Sequence, residues 1–245
     1  MAVVRALLGQ ISREQYFAEL FGIPVKLVRR LDQWHVYILN KQVRWLEQGK
    51  AETSRFFIRD ICGLLAPRDA LNGVTLQQYM TADTFFSDFV DTVSDKEPMG
   101  NIAKLSRFVA ALYMRSHETY FAEKTAQRRT IIDIPAKQET VVDLEGNASI
   151  LSTKADKTTL WAVYLNWVMI RNWLARAYPL LFPEGDNDSE GTVQRRVKNA
   201  WLNIFDSFVG DDVAHLDNYR QMACTDAFRL MNRRIKEASN PIKPH

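Results

Sequence analysis

Residues 157–178 read KTTLWAVYLNWVMIRNWLARAY, and the class of the whole chain turns on them. On a 3.6-residue helix Leu160, Trp161, Val163, Tyr164, Trp167, Val168, Ile170, Trp173 and Leu174 fall on nearly every side, so the helix is expected to lie centrally, covered from several directions. Asp156 can cap its start, and Pro179 and Pro183 close it. Asn166, Arg171 and Asn172 interrupt the apolar run, which is also shorter than the roughly 20 residues a membrane span needs. This is the central helix of a globular protein, with no membrane partner implied.

Toward the N-terminus the rhythm stays helical. Ser12-Arg13-Glu14-Gln15 has the form of a capping box ahead of Tyr16, Phe17, Leu20 and Phe21, and Gly22 with Pro24 ends that helix. Residues 25–48 place Leu27, Leu31, Trp34, Ile38 and Trp45 on one stripe, predicting a single long amphipathic helix with Trp34 and His35 as packing residues. Thr53 or Ser54 can cap a helix through Phe57, Ile61 and Leu64 that stops before Pro67. Further stripes run from Leu76 to Val93 and from Ile102 to about Phe121. Beyond the central helix, two more are expected, from Val193 through Trp201 to Gly210 and from Val213 to Ile235.

One segment breaks the pattern. Residues 130–151, TIIDIPAKQETVVDLEGNASIL, alternate with a period of two. Ile132-Asp133-Ile134 and Val142-Asp143-Leu144 are predicted to pair as a hairpin, Ile134 facing Val142 and Ile132 facing Leu144, with Ala148–Ser152 as a third strand. That register sets Asp133 against Asp143, a like-charge pair that costs up to about 1 kcal/mol unless a cation neutralises it. A lone hairpin is marginal in water, so it packs on its own body or pairs with a neighbouring subunit.

The fold expectation is therefore mainly α, two helical lobes of about eight helices with a central β-hairpin or small meander. The divisions are 1–128, 129–152 and 153–245, or one continuous domain.

Composition narrows function mostly by exclusion. Hydrophobic residues at 47% and charged residues at 25% are ordinary for a globular protein, and a net charge of +3 is mild for a dedicated nucleic-acid binder. Of the 32 basic residues, 20 are Arg, the side chain suited to interfaces and phosphates. Cys62 and Cys224 match no metal or disulfide spacing and read as small buried hydrophobes. The opening MAVVRALLGQIS has no charged lead or cleavage site of a signal peptide, so a cytoplasmic location or a place within an assembled particle is expected.

Motifs for catalysis are sparse. There is no P-loop, no GxGxxG after a strand and no GxSxG elbow. Asp212 and His215, with Asp211 and Asp217 nearby, make half a metal site at best and are better read as a helix start. Asp186 to Gly191 resembles the first half of a calcium loop, but its twelfth position is Val197. No catalytic residue, cofactor or metal is assigned.

Two functional readings follow. The first is a non-enzymatic assembly protein, such as a virus, phage or secretion-apparatus component, joined to other protein subunits by helical faces and by Ile132, Asp133, Ile134, Val142, Asp143 and Leu144. The alternative is an RNA- or DNA-coating protein with a basic groove formed by Lys26, Arg29, Arg30, Arg128, Arg129, Arg195, Arg196 and Lys198, and with Trp34 and Trp201 as neighbouring aromatics. Arg229, Arg233, Arg234 and Lys236 form a further basic cluster on the last helix.

Overall fold

A computed structural model describes residues 2–7, 9–47, 51–94, 97, 100–116, 140, 141, 143–182 and 200–239. It is mainly helical. The helices are α1 (Ala2–Leu7), α2 (Arg13–Phe21), α3 (Val25–Val28), α4 (Gln33–Glu47), α5 (Leu76–Val90), α6 (Ile102–Leu112), α7 (Leu144–Lys154), α8 (Lys157–Ala177), α9 (Ala200–Val209), α10 (Leu216–Gln221) and α11 (Cys224–Ser239). A small antiparallel sheet runs in the order β1 (Asp60–Ile61), β2 (Leu64–Leu65), β3 (Met114–Ser116) and β4 (Thr140–Val141). None of these helices is long and apolar enough to cross a membrane.

The central helix α8 behaves as its composition requires. The Asp156 carboxylate accepts from the Thr158 and Thr159 amides at 3.0 and 3.3 Å, and Trp167 and Ile170 are fully buried. Trp167 is ringed by Phe56, Tyr79 and Phe108 at centroid separations of 5.6–6.4 Å. Tyr79 in turn meets Phe182, Trp201 and Phe228, so one aromatic cluster joins α5, α6, α8, α9 and α11. This main core takes its residues from Phe56 to Met231, while Tyr16, Phe17, Ala18, Val28 and Val43 make a second, smaller core among the first four helices.

The polar interruptions of α8 have a use. Asn166 accepts from the Phe57 amide and donates to the Arg55 carbonyl, both at 2.9 Å, and Asn172 donates to the Ala51 carbonyl. Residues 51–58 lie as a non-helical strap on the central helix, several of their backbone groups met by its side-chain amides. The helix expected at 53–64 is therefore absent: strap and β1–β2 hairpin replace it, turning at Cys62 and Gly63, both at positive φ (55° and 80°). Cys62 at that turn is exposed, contrary to expectation, and Cys224 is buried.

Four other expectations change. The 25–48 helix breaks at residues 29–32. The helix expected to reach Phe121 ends at Leu112, where Tyr113 turns extended into β3. The stretch from Val213 to Ile235 is broken at Met222, whose carbonyl accepts from the Leu76 amide while Cys224 donates to Val74. Most directly, Asp143 and Leu144 do not belong to a strand: Asp143 caps α7 by accepting from Gly146 N at 3.1 Å, and residues 148–152 are helical. β4 ends at Val141 and pairs with β3, Arg115 facing Val141. Ile132, Asp133, Ile134 and Val142 lie outside the described residues. The cation expected for Asp143 has a candidate in β3, since the Arg115 guanidinium and the Asp143 carboxylate both lie within 3 Å of where a Cβ at Gly146 would stand.

Candidate nucleic-acid interface

The first four helices are built from strong local signals. Ser12 and Gln15 complete the predicted capping box, and Gly22 closes α2 in the left-handed region at φ 65°. Pro24 opens α3. Asp32 then starts α4, accepting from the His35 amide at 2.9 Å and from its ring at 2.7 Å. These hydrogen bonds, the amide first, hold the Asp32 carboxyl below the usual carboxylate range, so it stays an anion already partnered within the turn.

The break at residues 29–32 resets the helical phase. Val36, Leu39 and Val43 now face the small core, and Arg13 of α2 reaches across to Asn40, its guanidinium lying over the Tyr16 and Phe17 rings. The opposite face carries Trp34, Tyr37 and Lys41 at steps of three and four. Trp34 is 65% exposed and Tyr37 56% exposed, and the two rings stack 5.8 Å apart with planes 25° from parallel. Trp34 and His35 are thus corrected from packing residues to surface ones, and Leu27 of the expected stripe is 52% exposed as well.

Charge around this pair is one-sided. Residues 26–43 contain Lys26, Arg29, Arg30 and Lys41, all exposed, and one carboxylate, Asp32, while Glu14 of α2 lies near enough to Arg29 to feel its charge. Water-facing aromatics beside basic side chains can stack on planar groups while the cations neutralise phosphate.

The other candidate groups are spent or fall elsewhere. Arg128, Arg129, Arg195, Arg196 and Lys198 lie outside the described residues, as does the 186–191 loop. On α11, Arg229 pairs with Asp226, Arg233 with Glu237, and Arg234 donates to the Phe208 carbonyl from above the Phe208 ring. Trp201 is core, its indole donating to Asp83 at 2.7 Å, and Arg171 approaches the same carboxylate at 3.3 Å. Asp212 receives His215 at 2.7 Å and the Tyr219 hydroxyl at 2.9 Å. Among the described residues no three His, Cys, Asp or Glu side chains gather at one point.

Sequence reasoning named Lys26, Arg29, Arg30 and Trp34 but missed Tyr37 and Lys41. The signal was there: once Asp32 is taken as a cap, counting from Trp34 puts Tyr37 and Lys41 on its face. Comparison with protein-family models, with curated proteins and with solved structures yields no match for this chain.

Proposed function

We propose that the chain is a non-enzymatic structural subunit that coats nucleic acid. The observation that supports it is the α3–α4 face, where a stacked, water-exposed Trp34–Tyr37 pair sits among Lys26, Arg29, Arg30 and Lys41 with one already-partnered carboxylate. Burying two large rings lowers free energy, and a folded chain that leaves them in water beside an excess of basic side chains has them available for a partner with planar, anionic chemistry.

The test is fluorescence anisotropy of a labelled oligonucleotide titrated with the full chain across a salt series. If about four phosphates are neutralised, the slope of log affinity against log salt is about −3. A flat salt response or no binding at low salt overturns the proposal.

Self-assembly is a second reading, and a different surface supports it. Leu180, Leu202 and Val213 are large apolar side chains exposed on the C-terminal part of the chain. A particle-forming subunit would cover them with its neighbours.

A further inference from the structure

We infer that the α3–α4 face takes single-stranded rather than duplex nucleic acid, RNA or DNA, holding an unpaired base against the Trp34–Tyr37 stack with phosphates on the basic side chains that flank it. This rests on the nucleic-acid reading above and narrows its ligand.

The geometry separates the two ligands. Trp34 and Tyr37 stack on each other with planes only 25° apart, so the pair can be extended by a third planar group. In a duplex every base already has neighbours above and below and presents only its edges, in grooves; an unpaired base offers its face. The helix geometry also fits a strand better than a groove. From Trp34 to Lys41 is about 10 Å along α4 at 1.5 Å per residue. Lys41 lies one helical turn beyond Tyr37 on α4, and the exposed Lys26, Arg29 and Arg30 precede the rings in the chain, on α3 and the link that leads into α4. Neither aromatic takes part in the small core, whose buried members are Tyr16, Phe17, Ala18, Val28 and Val43, so the rings are not held for folding.

The experiment is competition on the full chain. A labelled single strand is displaced by unlabelled RNA, by unlabelled DNA of the same sequence, and by each annealed to its complement. The expected result is that at least one single strand competes roughly tenfold or more better than its duplex, the stronger naming the natural strand. The double substitution Trp34→Ala/Tyr37→Ala removes that advantage and leaves duplex binding within about twofold, with an unchanged far-UV spectrum because both rings are exposed. The triple substitution Lys26→Ala/Arg29→Ala/Arg30→Ala weakens both ligands alike and flattens the salt slope. Equal competition by duplex and single strand, or a double variant that keeps the advantage, overturns the inference and leaves the coating proposal standing. Absence of binding to every ligand overturns the proposal itself.

Discussion

Asp83 is a buried carboxylate that ties three helices together. Its carboxylate, 1% exposed in α5, accepts from the Trp201 indole of α9 and pairs with Arg171 of α8, whose guanidinium lies 4.7 Å from the Phe86 ring centre. Replacing it strands a cation that is itself mostly covered. Asp83→Ala is expected to cost about 3–5 kcal/mol, and Asp83→Asn, which keeps an acceptor, less; urea midpoints of the two variants check this ordering. Asp212 makes a gentler case at the surface. His215 and Tyr219 hold its carboxyl below the ordinary carboxylate range, so folding is favoured while the group is ionised. That contribution is present above the unfolded pKa of about 4 and is lost as pH falls through the lower folded value. Asp212→Asn should lower stability modestly at neutral pH and make little difference at the acid end, flattening the profile between them; an unchanged neutral stability with an identical acid limb in thermal melts would count against it. Neither partnership was readable from spacing, except that Asp212 and His215 lie one helical turn apart.

At the scale of elements, the helices with strong caps were legible and the short strands were not. Ser12, Gly22 and Asp156 act through bonds to residues within a turn, and Pro179 after α8 acts by lacking an N–H, signals that a sequence displays directly. The β1–β2 hairpin depends on distant groups, namely the Asn166 side chain and β3, and its Phe57, Ile61 and Leu64 spacing imitates a helix. Its turn is a two-residue link with both φ values positive, the conformation that Asn-Gly suits best, yet Cys62 occupies the first position. Cys62→Asn is therefore expected to stabilise the chain by about 0.5–1 kcal/mol, raising Tm by roughly 1–4 °C in calorimetry. A lowered Tm would mean that the exposed thiol has contacts that matter more than the backbone. The segment at 142–144 failed for a related reason. Val-Asp-Leu suits a strand by propensity, but Asp143 is also an excellent N-cap, and the helix that follows packs against α6.

For the whole molecule, the two proposed roles make opposite demands on one measurement. Light scattering during size exclusion, with absorbance at 260 and 280 nm, is expected to show a large species carrying nucleic acid at low salt that sheds it as salt rises. A large species free of nucleic acid and indifferent to salt would instead favour assembly through Leu180, Leu202 and Val213, while a monomer free of nucleic acid at both salts would remove both. By itself the sequence determined the helical class, the buried central helix and the caps of α2 and α8, because amphipathic period and capping chemistry are local. It also contained every residue of the α3–α4 face. Only the tertiary structure decided which side of α4 meets solvent, because the break at residues 29–32 rotates the apolar stripe and the small core of Tyr16, Phe17 and Val28 selects Val36, Leu39 and Val43 to bury. Packing among elements distant in the chain also drew the strap onto Asn166, since hydrogen bonds that close over a hundred residues leave no period in the chain, and the docking of α7 on α6 selected the capping role of Asp143 over the strand.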